Sequence, residues 1–195
     1  MTNTSWIAFA QTRRIASGSP HEVASAVKAF IDTHSEANVL VFDAQSSEPV
    51  EIDLRGTVQD VLSRLQVPPD QGSVPDVDSQ APSARTPGRP KLGVTAREVT
   101  LLPRHWEWLA AQSGGASVAL RKLVEQALRA NAETDRVRQS REATYRFMTA
   151  MAGNEPGHEE AIRALFAGDL KKFGELLDQW PADIRDHALS LAQAA

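Results

Sequence analysis

Val94–Leu102 is an apolar, β-branched run suited to a single strand, and Pro103 stops it. A lone strand leaves backbone N–H and C=O groups unpaired along both edges, so any stable fold must find it a partner. The residues after it offer none. Pro103 suits the first turn of a helix, where its fixed φ fits and its missing N–H is not needed. The following pattern predicts a helix over Arg104–Gln112 that carries Trp106, Trp108 and Leu109. Ser113-Gly114-Gly115 breaks it, because paired glycines make a turn cheap and helix continuation costly. A second helix is predicted over Ala116–Ala130, with Leu120, Leu123, Val124, Ala127 and Leu128 at i, i+3, i+4, i+7 and i+8.

Upstream of this unit, Gln66–Gly93 holds 6 prolines and 3 glycines and almost no large apolar side chain. Such a segment cannot bury enough surface to offset its ordering entropy and reads as a linker. Residues 1–65 read as an α+β module in the order ββαββα. Trp6–Ala10 and Arg13–Ser17 form a hairpin. Ser19 and Pro20 then open a helix that runs to about His34. Asn38–Asp43 and Val50–Leu54 are predicted strands, and Thr57 caps a helix over Val58–Leu65. Residues 132–195 read as a helical region, with helices at His158–Ala167, Leu170–Trp180 and Ile184–Ala192. The helix of Ala116–Ala130 either runs on into this region or breaks near Asn131. The expected division is thus 1–65, 66–93, 94–131 and 132–195.

Charge is segregated along the chain. Residues 85–146 carry 12 Lys and Arg against 6 Asp and Glu, a local charge of +6. Residues 1–84 carry 5 against 11, or −6, and residues 147–195 carry 4 against 8, or −4. A basic centre between acidic ends suggests a polyanionic partner; solvated Arg-rich helices are the plainer alternative. With no cysteine, thiolate zinc sites, disulfides and cysteine nucleophiles are excluded, which suits a reducing cytoplasm. The first residues lack the charged start and apolar core of a secretory signal, and no apolar run is long enough to span a bilayer.

Catalytic motifs and cofactor-binding loops are absent. Asp43, Glu51 and Asp53 form a candidate carboxylate cluster, but no histidine converges on them, and a solvated sheet face explains them as well. His158 and His187 are single histidines without convergent ligands. No enzyme activity, cofactor or metal is therefore expected. Trp106 and Leu109 are expected on the core face of their helix, and Trp180 is expected to cap the C-terminal bundle. Trp108, on the outer face, has a possible base-stacking role.

Arg85-Thr86-Pro87-Gly88-Arg89-Pro90-Lys91 resembles an AT-hook, with Pro87 where that motif usually has arginine. The resemblance implies that the narrow backbone of Gly88 and Pro90 guides Arg89 into the minor groove of A·T-rich DNA. Arg85 and Lys91 would contact phosphates. Arg97–Pro103, Trp106/Leu109, Gly115-Ala116-Ser117 and Leu120–Leu128 resemble the ribbon-helix-helix family of bacterial regulators. That resemblance implies a homodimer through antiparallel pairing of Ala96–Leu102, with the ribbon in the major groove and a phosphate at the amides of Ser117 and Val118. The positions implied to face DNA are Arg97, Val99 and Leu101, of which two are apolar. A register shifted by one would present Glu98 and Thr100 instead. The scaffold is thus better matched than base readout, and DNA contacts are expected through Arg89, Lys91, Arg97 and Arg121. The expectation is a cytoplasmic, transcription-regulatory DNA-binding homodimer. The alternative is a protein–protein scaffold in which the β-α-α unit only dimerises.

Across nearly its full length the chain also resembles a bacterial family of uncharacterised proteins, domain of unknown function 2239. The resemblance lies in Arg13–Gly18, Val39–Asp43, Asp53–Gly56 and Gly88–Leu109, with Arg146-Phe147-Met148 and Ala164–Asp169. It implies no particular activity.

Overall fold

A computed structural model describes residues 4–65 and 97–194. The fold is α+β, with a small antiparallel sheet and helices before and after the Pro/Gly-rich segment. The first strands are β1 (Trp6–Ala10) and β2 (Arg13–Gly18), joined by a tight turn with Gln11 at φ 52°. Helix α1 (Pro20–Thr33) opens with a full capping box: the Ser19 hydroxyl accepts from the Glu22 amide, and the Glu22 carboxylate accepts from the Ser19 amide at 2.8 Å. β3 (Val39–Asp43) completes a sheet in the order β2-β1-β3, and α2 (Val58–Leu65) follows. Then come α3 (Pro103–Ala110), α4 (Gly115–Ala152), α5 (His158–Ala167), α6 (Leu170–Leu177) and α7 (Ala182–Gln193).

Alternation along the strands decides what covers each face of the sheet. Ala8 and Val41 point to one side and meet Val23 and Val27 of α1. Ile7, Phe9 and Phe42 point to the other and meet Phe147 and Met148 of α4, Leu165 of α5, Phe173 and Leu177 of α6, and Ile184 of α7. The central strand β1 is therefore buried on both faces, with Ala8 and Phe9 fully inaccessible.

Two expectations are redrawn. Val50–Leu54 is not a strand, and only a bridge from Phe42 to Pro49 and a bond from the Val50 amide to Val41 extend the sheet there. Pro49 has no N–H to give to a ladder, and the turn at Asp43–Glu48 uses the nearby backbone groups. Val50, Ile52 and Leu54 still pack against the core, so the segment alternates without a ladder. The division of the chain also differs. Residues 1–69 and 131–195 form one compact unit and residues 70–130 a second, because the apolar strand face of the first module is covered by the last helices. The open question about α4 is answered by one 38-residue helix, Gly115–Ala152, with no break near Asn131.

Candidate functional site

The candidate site residues fall in two groups. Arg85, Gly88, Arg89, Pro90 and Lys91, together with Ala96 of the expected pairing strand, lie outside the described residues. Arg97, Thr100, Ser117 and Arg121 are described, and all four are exposed.

Arg97–Leu102 carries no assigned secondary structure. It does not join the three-stranded sheet, whose strands are all in the first unit. Leu102 caps α3 without a side-chain bond, and its carbonyl accepts from the amides of His105 and Trp106 at 2.8 and 3.3 Å. Pro103 opens α3, as its conformation favours. The turn from α3 to α4 places Gly114 at φ 89° and Gly115 at φ 72°, a left-handed pair that side chains disfavour. A Cβ on Gly114 would sit 3.1 Å from Val118, whereas at Gly115 a Cβ would meet nothing within 4 Å and the left-handed φ alone favours glycine. Ser117 lies in the first turn of α4, and its carbonyl accepts from Arg121 Nε at 3.1 Å.

Within Arg97–Ala130, Leu109 and Ala119 are the buried apolar side chains. Val99, Leu102, Trp108, Val124 and Leu128 are at least half exposed, and Leu123 is 44% exposed. Trp106 corrects an expectation: it is 42% exposed rather than core, because α3 is only two turns long and Leu109 alone takes its inward position. Leu101, His105, Trp108, Leu109, Leu120 and Leu123 line an open apolar groove of about 280 Å³ between α3 and α4. The sequence showed the stripe on α4 but not that it stays bare, since periodicity reports a face and not its partner.

Charge on this segment is mixed with a basic excess: Arg97, Arg104, Arg121, Lys122 and Arg129 against Glu98, Glu107 and Glu125. Among the described residues its one ion pair is Arg129 with Glu125, at 3.6 Å and exposed.

The carboxylates singled out in the first module are used structurally. Asp43 Oδ1 accepts from the Gln45 and Ser46 amides at 3.0 and 2.8 Å and holds the turn after β3. Arg146 of α4 donates to the Ser46 carbonyl of the same turn. Asp53 pairs with Arg55 at 2.7 Å and Arg64 at 3.4 Å. The Arg55 guanidinium and amide hold its carboxyl far below the ordinary aspartate value. Glu51 is exposed and apart from both pairings. No cluster of histidine, aspartate or glutamate suited to a metal occurs among the described residues. His158 stacks on Trp180 at 6.2 Å, and Trp180, buried as expected, donates to the Pro156 carbonyl at 2.9 Å. No helix among the described residues is long and apolar enough to cross a membrane.

No curated protein and no solved structure matches the chain. A family of uncharacterised proteins conserved in bacteria, domain of unknown function 2239, matches residues 5–192, and the chain belongs to that family.

Proposed function

We propose that this protein is a DNA-binding homodimer with a regulatory role, in which the segment from Arg97 to Ala130 joins two copies and basic side chains hold phosphates. The observation that supports it most is the shortage of core in that segment. Two buried apolar side chains cannot offset the ordering of two helices, while a row of large apolar residues meets solvent. An Arg97–Leu102 segment without secondary structure and outside the sheet is in keeping with a strand that borrows its partner from another copy. The DNA half of the reading rests on charge. Arg97, Arg104 and Lys122 are exposed and make no ion pair among the described residues. They extend the positive charge of Arg85, Arg89 and Lys91.

Mobility shifts with random and A·T-rich duplexes over a salt series test this. Affinity is expected to fall steeply as salt rises, because phosphate contacts release counterions. Replacing Arg89 and Lys91 together by Ala is expected to weaken binding and flatten the salt slope. An unchanged affinity would remove the Gly-Arg-Pro patch from the reading. No binding at low salt would leave a scaffold that only dimerises. Sedimentation equilibrium at micromolar protein tests the dimer itself.

A further inference from the structure

Ten consecutive residues of α4, Arg121–Ala130, are all exposed. A helical stretch this exposed gains little from packing, and isolated helices of roughly this length are marginal in water. This stretch is nevertheless amphipathic. At about 100° per residue, Leu120, Leu123, Val124 and Leu128 share one side of the helix. Its two borders differ. Arg121 and Glu125, one turn apart, run along one border, whereas the other carries the uncharged Gln126 and Ala130.

We propose that this face is a contact between two copies of the chain, crossing antiparallel with the two-fold axis at Leu123. The proposal rests on the dimer argued above and specifies its helix contact. In an antiparallel pair, like borders face each other across the seam. Arg121 and Glu125 lie two residues either side of Leu123, so an axis there sets Arg121 of each copy against Glu125 of the other. A parallel pair would set that charged border against Gln126 and Ala130, which carry no charge to meet it. The side chains are available for the exchange. Among the described residues, Arg121 spends Nε on the Ser117 carbonyl and keeps its terminal nitrogens, and Glu125 holds only the exposed contact to Arg129. Val124 and Leu128, 56% and 58% exposed, supply apolar area on the seam.

The chain has no cysteine, so single introduced cysteines report on the crossing without background. A disulfide needs Cβ atoms roughly 3.5–4.5 Å apart, which an axis level with Leu123 approaches for position 124, the seam residue nearest that level, and denies to position 128. Val124→Cys in the full-length protein is expected to form an interchain disulfide under mild oxidation, and Leu128→Cys is not. Arg121→Glu is expected to weaken dimerisation roughly tenfold, and Arg121→Glu with Glu125→Arg to restore it. Equal cross-linking at both positions, no cross-link at Val124→Cys in a dimeric protein, or no recovery in the double variant would each overturn the proposal. A dimer that survives Arg121→Glu but is lost in Val99→Asp would also overturn it, while leaving a strand-paired dimer standing. Cross-linking with no DNA binding would support it and remove the DNA reading instead.

Discussion

His187 sits in the layer between the sheet and the helices, with the rings of Phe9 and Phe147 at 5.8 and 4.6 Å. It is buried, and its Nε2 has no hydrogen-bond partner among the described residues. Burial, with a smaller contribution from the Arg14 charge, pushes its pKa down to about 4 from 6.5. Between those values the folded protein binds fewer protons than the unfolded chain, so stability rises with pH. The contribution is complete above pH 6.5 and is lost as pH falls toward 4. The melting temperature is expected to drop steadily across this window, and the drop to be shallower in His187→Met. Parallel curves for the two proteins would show that another group carries the acid sensitivity. Helical spacing with Ile184, Ala188 and Leu191 puts His187 on the inward stripe of α7, whereas His21 and His34 are exposed. Burial of a titratable side chain depends on what packs over it, and here that is β1 and α4, distant in sequence.

Elements whose ends carry capping residues were the most legible. Ser19, Pro20 and Glu22 mark the start of α1, and Val58–Leu65 is the predicted helix residue for residue. The helices of the C-terminal region were also placed by their apolar spacing, with ends moved by a few residues; α6 stops at Leu177 rather than Trp180. Val50–Leu54 shows the limit of pattern reading: alternate burial needs only an extended chain over a core, whereas a strand also needs a neighbour able to bond it. The long helix α4 joins these elements through Phe147, which meets Phe9 at 5.3 Å and Phe42 at 5.8 Å. Phe147→Ala is expected to destabilise the protein by about 3–5 kcal/mol through lost burial and a cavity at the sheet face. A denaturant midpoint measured at pH 7 checks it, and a change under about 1 kcal/mol would show that the site collapses to fill the space.

At the scale of the molecule, the first 69 residues and the last 65 fold together, and residues 70–130 lie between them in sequence as a separate unit. The N-terminal module presents Ile7, Phe9 and Phe42 to helices that come more than 90 residues later. A fragment of residues 1–65 is therefore expected to remain unfolded or to bind hydrophobic dyes, because one full face of its sheet would meet water. A sharp, dispersed amide spectrum from that fragment would contradict this. Arg14 adds a second tie of the same kind: its amide on the edge strand β2 donates to Asp183 of α7 at 2.8 Å. Such a bond also blunts an edge that would otherwise offer an open backbone donor.

By itself the sequence determined the local grammar: the capped helices, the β1–β2 hairpin, the break at Ser113-Gly114-Gly115 and the apolar face of each element. These follow from backbone sterics and side-chain period, which act over a few residues. Only the tertiary structure decided that the two ends of the chain share one core and that His187 is buried. It also decided that the Leu123–Leu128 face stays bare. Each of these depends on contacts between segments far apart in sequence, and a period of 2 or 3.6 marks a surface to be covered without naming what covers it.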